Sequence, residues 1–314
     1  MTKIAHFRRD GRQGIGVVRG GELIDLRESY NAVANAGQPG SDAANAGSSL
    51  SDPLTFLQGG AESWGRLRVA VEHVLAMDEK QGREQGLLLS LDDVELLPPI
   101  TNPPKIICVA RNYGKHAEEA GRPVSEIPIL FARFPATLVA HKGDVVVPRV
   151  SDQLDWEGEL AVIIGTGGRH ITKVDAMDHV AGYSVFNDVT VRDYQFRVTQ
   201  YTEGKNFHAS GPFGPYLVLK DEVPNPHNLR IETLLNGETV QDGNTEEMIF
   251  DIPTIISHIS EFIELEPGDV IPMGTPAGVG FTRNPPRFLT PGDTIEVRVE
   301  NIGSLTNPVI KEEA

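Results

Sequence analysis

Cysteine is almost absent from this sequence: Cys108 stands alone, so no disulfide can form within the chain and a reducing compartment is expected. Cys108 sits in an apolar run, 105–110, read as a strand, where a small buried side chain is the expected role. Long hydrophobic runs are missing too. No stretch of 18 apolar residues occurs and the first ten residues are charged, so neither a membrane span nor a secretory signal is expected, and the cytoplasm is the expected location. Positive charge is scarce: 28 basic residues against 44 acidic ones give a net charge of −16, which argues against nucleic acid or an anionic membrane as partner. A small anionic substrate then needs lysine and arginine gathered locally.

Regular alternation of strand and helix is also lacking, which argues against a doubly wound parallel fold. Residues 3–7, 14–18 and 22–26 read as strands, and 63–77 as a helix carrying Leu67, Val71, Val74 and Leu75 at helical spacing. The Gly, Ala, Ser and Asn-rich stretch 37–52 is expected to be a mobile surface loop. Pro98, Pro99, Pro103 and Pro104 mark the expected boundary between a small N-terminal domain, 1–98, and a larger one, 99–314. Gly14, Gly16 and Gly20 superficially suggest a dinucleotide fingerprint, but the last glycine is one place late and no helix-forming run comes after it, so a hairpin is expected. Three Gly-Asp turns, at Gly143, Gly268 and Gly292, each launch a β-branched strand and read as scaffold. A helix over 253–265, with Ile255, Ile256, Ile259 and Ile263 along one side, is expected to cover a sheet.

What is plentiful is acid in one place. Glu157 and Glu159 lie in the run Leu154-Asp155-Trp156-Glu157-Gly158-Glu159-Leu160-Ala161-Val162-Ile163-Ile164. Side chains two apart on a strand point the same way, so two carboxylates converge at the head of a strand that wants burial. Hard oxygen ligands of this kind suit Mg²⁺, Mn²⁺ or Ca²⁺; the alternative is a strand edge exposing two solvated glutamates. Asp188 ends another strand candidate, either as a third ligand or as a turn aspartate bonding its own backbone. His116 and Glu119, three apart, share a helix face, either as a base and its orienting carboxylate or as an exposed pair of little consequence.

The ordered set Cys108-Val109-Ala110-Arg111-Asn112-Tyr113-Gly114-Lys115-His116, the glutamate pair, Asn187-Asp188-Val189-Thr190-Val191-Arg192-Asp193-Tyr194-Gln195, Gly204-Lys205-Asn206-Phe207 and Gly274-Thr275-Pro276-Ala277-Gly278 resembles the fumarylacetoacetate hydrolase superfamily. The resemblance implies an α+β protein: a mixed β-roll or sandwich catalytic domain with a small N-terminal α+β domain. It implies Mg²⁺ or Mn²⁺ on Glu157, Glu159 and Asp188, with no fourth acid because Val109 holds that position. The implied substrate is a small anionic keto acid chelated by the metal. The first expected activity is hydrolysis of a C–C bond in an acylpyruvate or β-diketo acid, with His116 and Glu119 activating water and the metal holding the enolate leaving group. The alternatives are decarboxylation of an oxaloacetate-like acid, or enol–keto isomerisation in aromatic catabolism. Lys205 and Gln195 are implied as oxyanion donors, His116 and Glu119 on a short lid helix that assembles the dyad over substrate. Arg192, Thr275, Gly274, Tyr113 and Arg133 are candidates for substrate contact, with Arg192 equally open to a structural pairing. His208 and Arg133 depart from the family pattern and are expected to bear on the substrate tail. A homodimer is implied.

Overall fold

The structure, a computed structural model, describes residues 2–37 and 47–313. Antiparallel sheet dominates it. Ten strands lie in the order Leu88–Ser90, Glu22–Asp25, Arg12–Arg19, Lys3–Arg9, Gly211–Leu219, Val180–Asn187, Gly158–Ile164, Val270–Pro272, Ile106–Ala110 and Ile129–Arg133, with two short strands joined at their sides. A second sheet of five strands runs Glu238–Asn244, Arg230–Leu235, Thr294–Val299, Gly303–Lys311 and Val145–Val147. The fold is α+β with mixed sheets, as the sequence led us to expect.

The central strand Gly158–Ile164 explains why its sequence is apolar from Leu160 onward. Leu160, Val162 and Ile164 enter one core, shared with Ile231 and Val297 of the five-stranded sheet and with Ile255, Ile256 and Ile259 of the helix Ile252–Phe262. Ala161 and Ile163 point the other way, into a core closed by Leu67, Ala70 and Val74 of the N-terminal helix Gly60–Leu75. A strand covered on both faces has no solvent side on which to place polar residues. The helix Ile252–Phe262 starts where Asp251 accepts a hydrogen bond from the Thr254 N–H, with Pro253 in its first turn.

Lys3–Arg9 pairs with Gly211–Leu219, setting Lys3 opposite Val218, so main-chain hydrogen bonds tie the first segment to the sheet of the larger one. The glycines at 14–20 do form a hairpin: Arg12–Arg19 returns through Gly20 (φ +62°) into Glu22–Asp25. The first hundred residues hold more helix than the sequence suggested: besides Gly60–Leu75 there are Leu26–Gly37, Pro53–Gln58 and Glu79–Glu84. Leu26–Gly37 carries Ser29, Tyr30, Asn31, Val33, Asn35 and Gly37, which are weaker helix formers than its alanines. Its usable clue is Asp25, whose carboxylate caps the Glu28 N–H at 3.1 Å. Of the loop expected over 37–52, residues 38–46 lie outside the described ones, and Ser48–Leu50 is a 3-10 turn that buries Leu50. No helix among the described residues is long and apolar enough to cross a membrane.

Candidate active site

Register brings the acids together. Gly158–Ile164 pairs with Val180–Asn187 so that Gly158 faces Asn187, and Leu154–Asp155 pairs with Thr190–Val191. At the join, the Glu157 N–H donates to Asn187 Oδ1 at 3.0 Å and the Asp188 N–H to the Glu157 carbonyl at 2.9 Å. Glu157, Glu159 and Asp188 are all buried, and one oxygen from each lies within 4.8 Å of the others. Gly158 between the glutamates is required by packing, since a Cβ there would sit 2.3 Å from Thr233 Oγ1 and 2.9 Å from Val297 Cγ1.

Buried carboxylates need partners, and two of the three have them. The Lys205 ammonium bridges Glu157 Oε2 at 2.9 Å and Asp188 Oδ2 at 2.6 Å. Arg192 Nη1 reaches Glu157 Oε1 at 2.6 Å while its Nε holds Asp155 at 2.8 Å. Arg133 grips Asp188 Oδ1 through Nε at 2.9 Å and Nη2 at 2.7 Å. Burial works to raise the Glu157 pKa, but the charges of Lys205, Arg192 and His116 overcome it and hold the carboxyl at about 2. Lys205 is pushed down by burial and more strongly up by Asp188 and Glu157, so it stays charged. Glu159 is different: its one hydrogen bond is from the Gly274 N–H at 2.9 Å, and burial, then Asp188 and Glu157, drive its pKa well above the usual carboxylate range. With Glu159 ionised, Asp155, Glu157, Glu159 and Asp188 would outnumber Arg133, Arg192 and Lys205 by one charge, and burial opposes that excess at Glu159. A divalent cation on the three carboxylates would more than offset that charge and favour the ionised Glu159, and all-oxygen ligation is the chemistry Mg²⁺ accepts. The donor set fits a hard divalent ion.

Beside this cluster lies a cavity of about 590 Å³, lined among others by His116, Glu157, Arg192, Gln195 and Lys205. The helix Gly114–Glu119 carries His116 over it, with Nδ1 2.8 Å from Glu119 Oε1. Glu119 is itself fixed, accepting from the Gly278 N–H at 3.0 Å and the Thr282 hydroxyl at 3.2 Å. The dyad is therefore assembled in this structure and anchored to the loop beyond Gly274. With Nδ1 engaged, Nε2 is the nitrogen free to take a proton.

Residues 105–310 match the family described as Fumarylacetoacetate (FAA) hydrolase C-terminal. The chain belongs to the fumarylacetoacetate hydrolase family. It is 45% identical over 241 residues to the mitochondrial oxaloacetate tautomerase FAHD2A of Homo sapiens, covering 76% of this chain and 77% of that one. Among solved structures, a fumarylacetoacetate hydrolase from psychrophilic Exiguobacterium antarcticum matches with a TM-score of 0.76 at 34% identity, covering 99% and 100% of the two chains. The 2-hydroxyhepta-2,4-diene-1,7-dioate isomerase of Mycobacterium marinum matches with a TM-score of 0.72 at 26% identity over 100% of each.

Within this family frame, several expected substrate contacts prove to be occupied elsewhere. Arg133 is buried behind Asp188, and its remaining donors go to the Val189 carbonyl and Ser210, so it has no hand free for a substrate carboxylate. The Thr275 hydroxyl donates to the Gly158 carbonyl and accepts from Gln241, both under 3 Å. The Gly274 N–H is spent on Glu159. Tyr113 is buried in the apolar core with its hydroxyl unpartnered, away from the cavity wall. His208 is exposed and does not line the cavity. Val109, where a fourth ligand was excluded, packs in the core. Arg192 satisfies both readings at once: three partners are structural, Asp155, Glu157 and Gln195, yet Nη2 is buried without one on the cavity wall. The residue that sequence reading passed over is Asp155. It accepts from the N–H groups of Gly280 at 2.7 Å and Phe281 at 3.0 Å as well as from Arg192, tying the dyad's anchoring loop to the acidic cluster. Its signal was available, since Asp155, Glu157 and Glu159 continue one period-two acidic face.

Proposed function

We propose that this chain interconverts the enol and keto forms of a short 2-keto acid of the oxaloacetate type, with Mg²⁺ or Mn²⁺ on Glu157, Glu159 and Asp188. The observation that carries the reading is the single preset base, His116 held by Glu119 at 2.8 Å, on the wall of a cavity shared with Lys205 and Glu157. Tautomerisation needs one group that removes a proton from the carbon next to the keto group and can give it back; His116 Nε2 has that role, and Glu119 stabilises the imidazolium between the two transfers. Lys205 and Gln195 supply donors for the oxygen on which negative charge develops, and Arg192 Nη2 supplies a further one. When bound, the metal acts as a Lewis acid that polarises the keto oxygen and fixes the chelating end of the acid. The human relative named for oxaloacetate tautomerisation supports this reading, and on its account isomerisation stands ahead of the hydrolysis first expected.

Hydrolysis of an acylpyruvate is the second reading, favoured by the cavity's size. Its 590 Å³ and aromatic wall of Phe131, Tyr201 and Phe281 give room for a longer tail, and the same base would take its proton from water. The test monitors the ultraviolet absorbance of enol-oxaloacetate, and in parallel of acetylpyruvate, with Mg²⁺ and after chelation. Ketonisation above the buffer rate that disappears with His116→Ala supports the first reading; product release from acetylpyruvate alone would replace it with the second, and carbon dioxide release would report decarboxylation. Turnover untouched by His116→Ala sinks both roles of the base.

A further inference from the structure

We propose that Arg111 is the residue that reads the second carboxylate of a dicarboxylic 2-keto acid, and so sets the substrate preference of this site. The inference rests on the 2-keto acid reading above. Arg111 comes directly after the strand Ile106–Ala110 and adopts φ +54°, a left-handed conformation that a long side chain rarely takes. The strain is imposed by its neighbour. Asn112 is fully buried and clamps two distant segments, its Nδ2 donating to the Phe250 and Met273 carbonyls at 3.0 and 2.9 Å and its Oδ1 accepting from the Phe250 N–H at 2.8 Å. The Asn112 carbonyl adds a bond from the Ile249 N–H at 2.7 Å. Beside this fixed point the Arg111 side chain lines the cavity that contains His116 and Lys205. Backbone strain of this kind, over-determined by its surroundings, concentrates at functional sites.

What Arg111 holds is as informative as where it stands. In a chain of net charge −16, its side chain has no hydrogen bond or carboxylate partner among the described residues, and its Nε is buried without one. The other guanidinium groups on the cavity wall differ. Arg192 is committed to Asp155, Glu157 and Gln195; Arg197 pairs with Asp193 and lies over the Tyr194 ring; Arg122 is exposed. Arg111 is the fixed, partly buried and unpaired one, and a planar fork of donors in that state matches a carboxylate.

The test compares oxaloacetate with pyruvate, which is the same acid without the second carboxylate. Calorimetric titrations of the Mg²⁺-loaded full chain give the ratio of the two affinities for wild type, Arg111→Met and Arg111→Lys, and melting curves report folding. The expected result is a wild-type preference for oxaloacetate of about ten- to a hundredfold, the size of a charge-assisted contact, that falls with added salt. In Arg111→Met the preference collapses to within about threefold while pyruvate affinity holds, and Arg111→Lys, which keeps the charge without the fork, lies between. A preference retained in Arg111→Met, an equal loss for both acids in both variants, or no preference in wild type overturns the assignment. Should wild type bind with the expected preference yet fail to accelerate ketonisation, the catalytic reading falls and the role of Arg111 stands.

Discussion

Glu119→Gln exchanges one oxygen for an NH₂ group, and the geometry around the carboxylate leaves the amide no harmless orientation. His116 Nδ1 addresses Oε1 at 2.8 Å and the Thr282 hydroxyl addresses Oε2 at 3.2 Å, while the Gly278 N–H spans the two, 3.0 Å from Oε2 and 3.2 Å from Oε1. A glutamine has one acceptor for these two ends. If its oxygen stays with the Gly278 N–H, its NH₂ faces His116 and forces Nδ1 to accept, which moves the ring proton to Nε2 and removes the lone pair that acts as base. If the amide turns over, its NH₂ faces the Gly278 N–H, which keeps only its longer 3.2 Å contact to the oxygen on the His116 side and is weakened. Either way the charge-assisted bond to the imidazolium is gone, a loss of about 1.5–3 kcal/mol at the step where the imidazolium forms. That corresponds to roughly 10- to 150-fold in kcat at about 1.4 kcal/mol per tenfold. Enol-oxaloacetate ketonisation, measured with the metal saturating and with a melting curve to show that the fold persists, gives the number. A variant with kcat within about threefold of wild type refutes the dyad, because both orientations of the amide remove the charge that stabilises the imidazolium.

Three further perturbations have equally definite outcomes. Arg133→Met removes both donors that hold the buried Asp188 Oδ1 and should lower the unfolding free energy by about 3 kcal/mol in urea titrations; an unchanged midpoint would show that Lys205 alone suffices. Ile256→Ala, in the core between the sheets, should cost about 2–5 kcal/mol by the same measurement without changing the affinity for pyruvate. Asp269 caps the turn before Val270–Pro272 and is fully covered, with Oδ1 unpartnered; burial lifts its pKa to about 6 despite the bond from Lys105, an ammonium that burial lowers but Glu266 and Asp269 raise by more. An acid raised on folding favours the folded state while protonated, so its contribution is complete below about pH 4 and is lost as pH rises through 6, at most about 3 kcal/mol. Asp269→Asn should flatten that part of the stability–pH curve; an unaltered slope assigns it to other groups.

The parts of the site that were legible in the sequence are those written in short-range periodicity. Glu157 and Glu159 share a face because strands alternate, and His116 and Glu119 meet, 2.8 Å apart, because helices return every three to four residues. The Ile255, Ile256 and Ile259 stripe gave the helix over the sheet for the same reason. What the sequence hid is long-range partnering. Nothing near Arg133 reveals that Asp188, 55 positions on, consumes its donors, or that Gly158 and Gln241 satisfy Thr275. A polar side chain looks free for substrate until the fold shows who else has claimed it, and the converse holds for Arg111, whose lack of a partner is equally invisible in one dimension.

The central claim is that Glu157, Glu159 and Asp188 form a divalent-cation site, and the most direct measurement is Mn²⁺ binding by electron paramagnetic resonance, which needs neither substrate nor turnover. Glu159 is the carboxyl with one backbone hydrogen bond and no ion pair among the described residues, so Glu159→Gln is the decisive variant. The account predicts one Mn²⁺ per chain in wild type, displaced by Mg²⁺, and an affinity at least about tenfold weaker in Glu159→Gln with the fold retained. Absence of bound Mn²⁺ in wild type, or equal affinity in the variant, contradicts it.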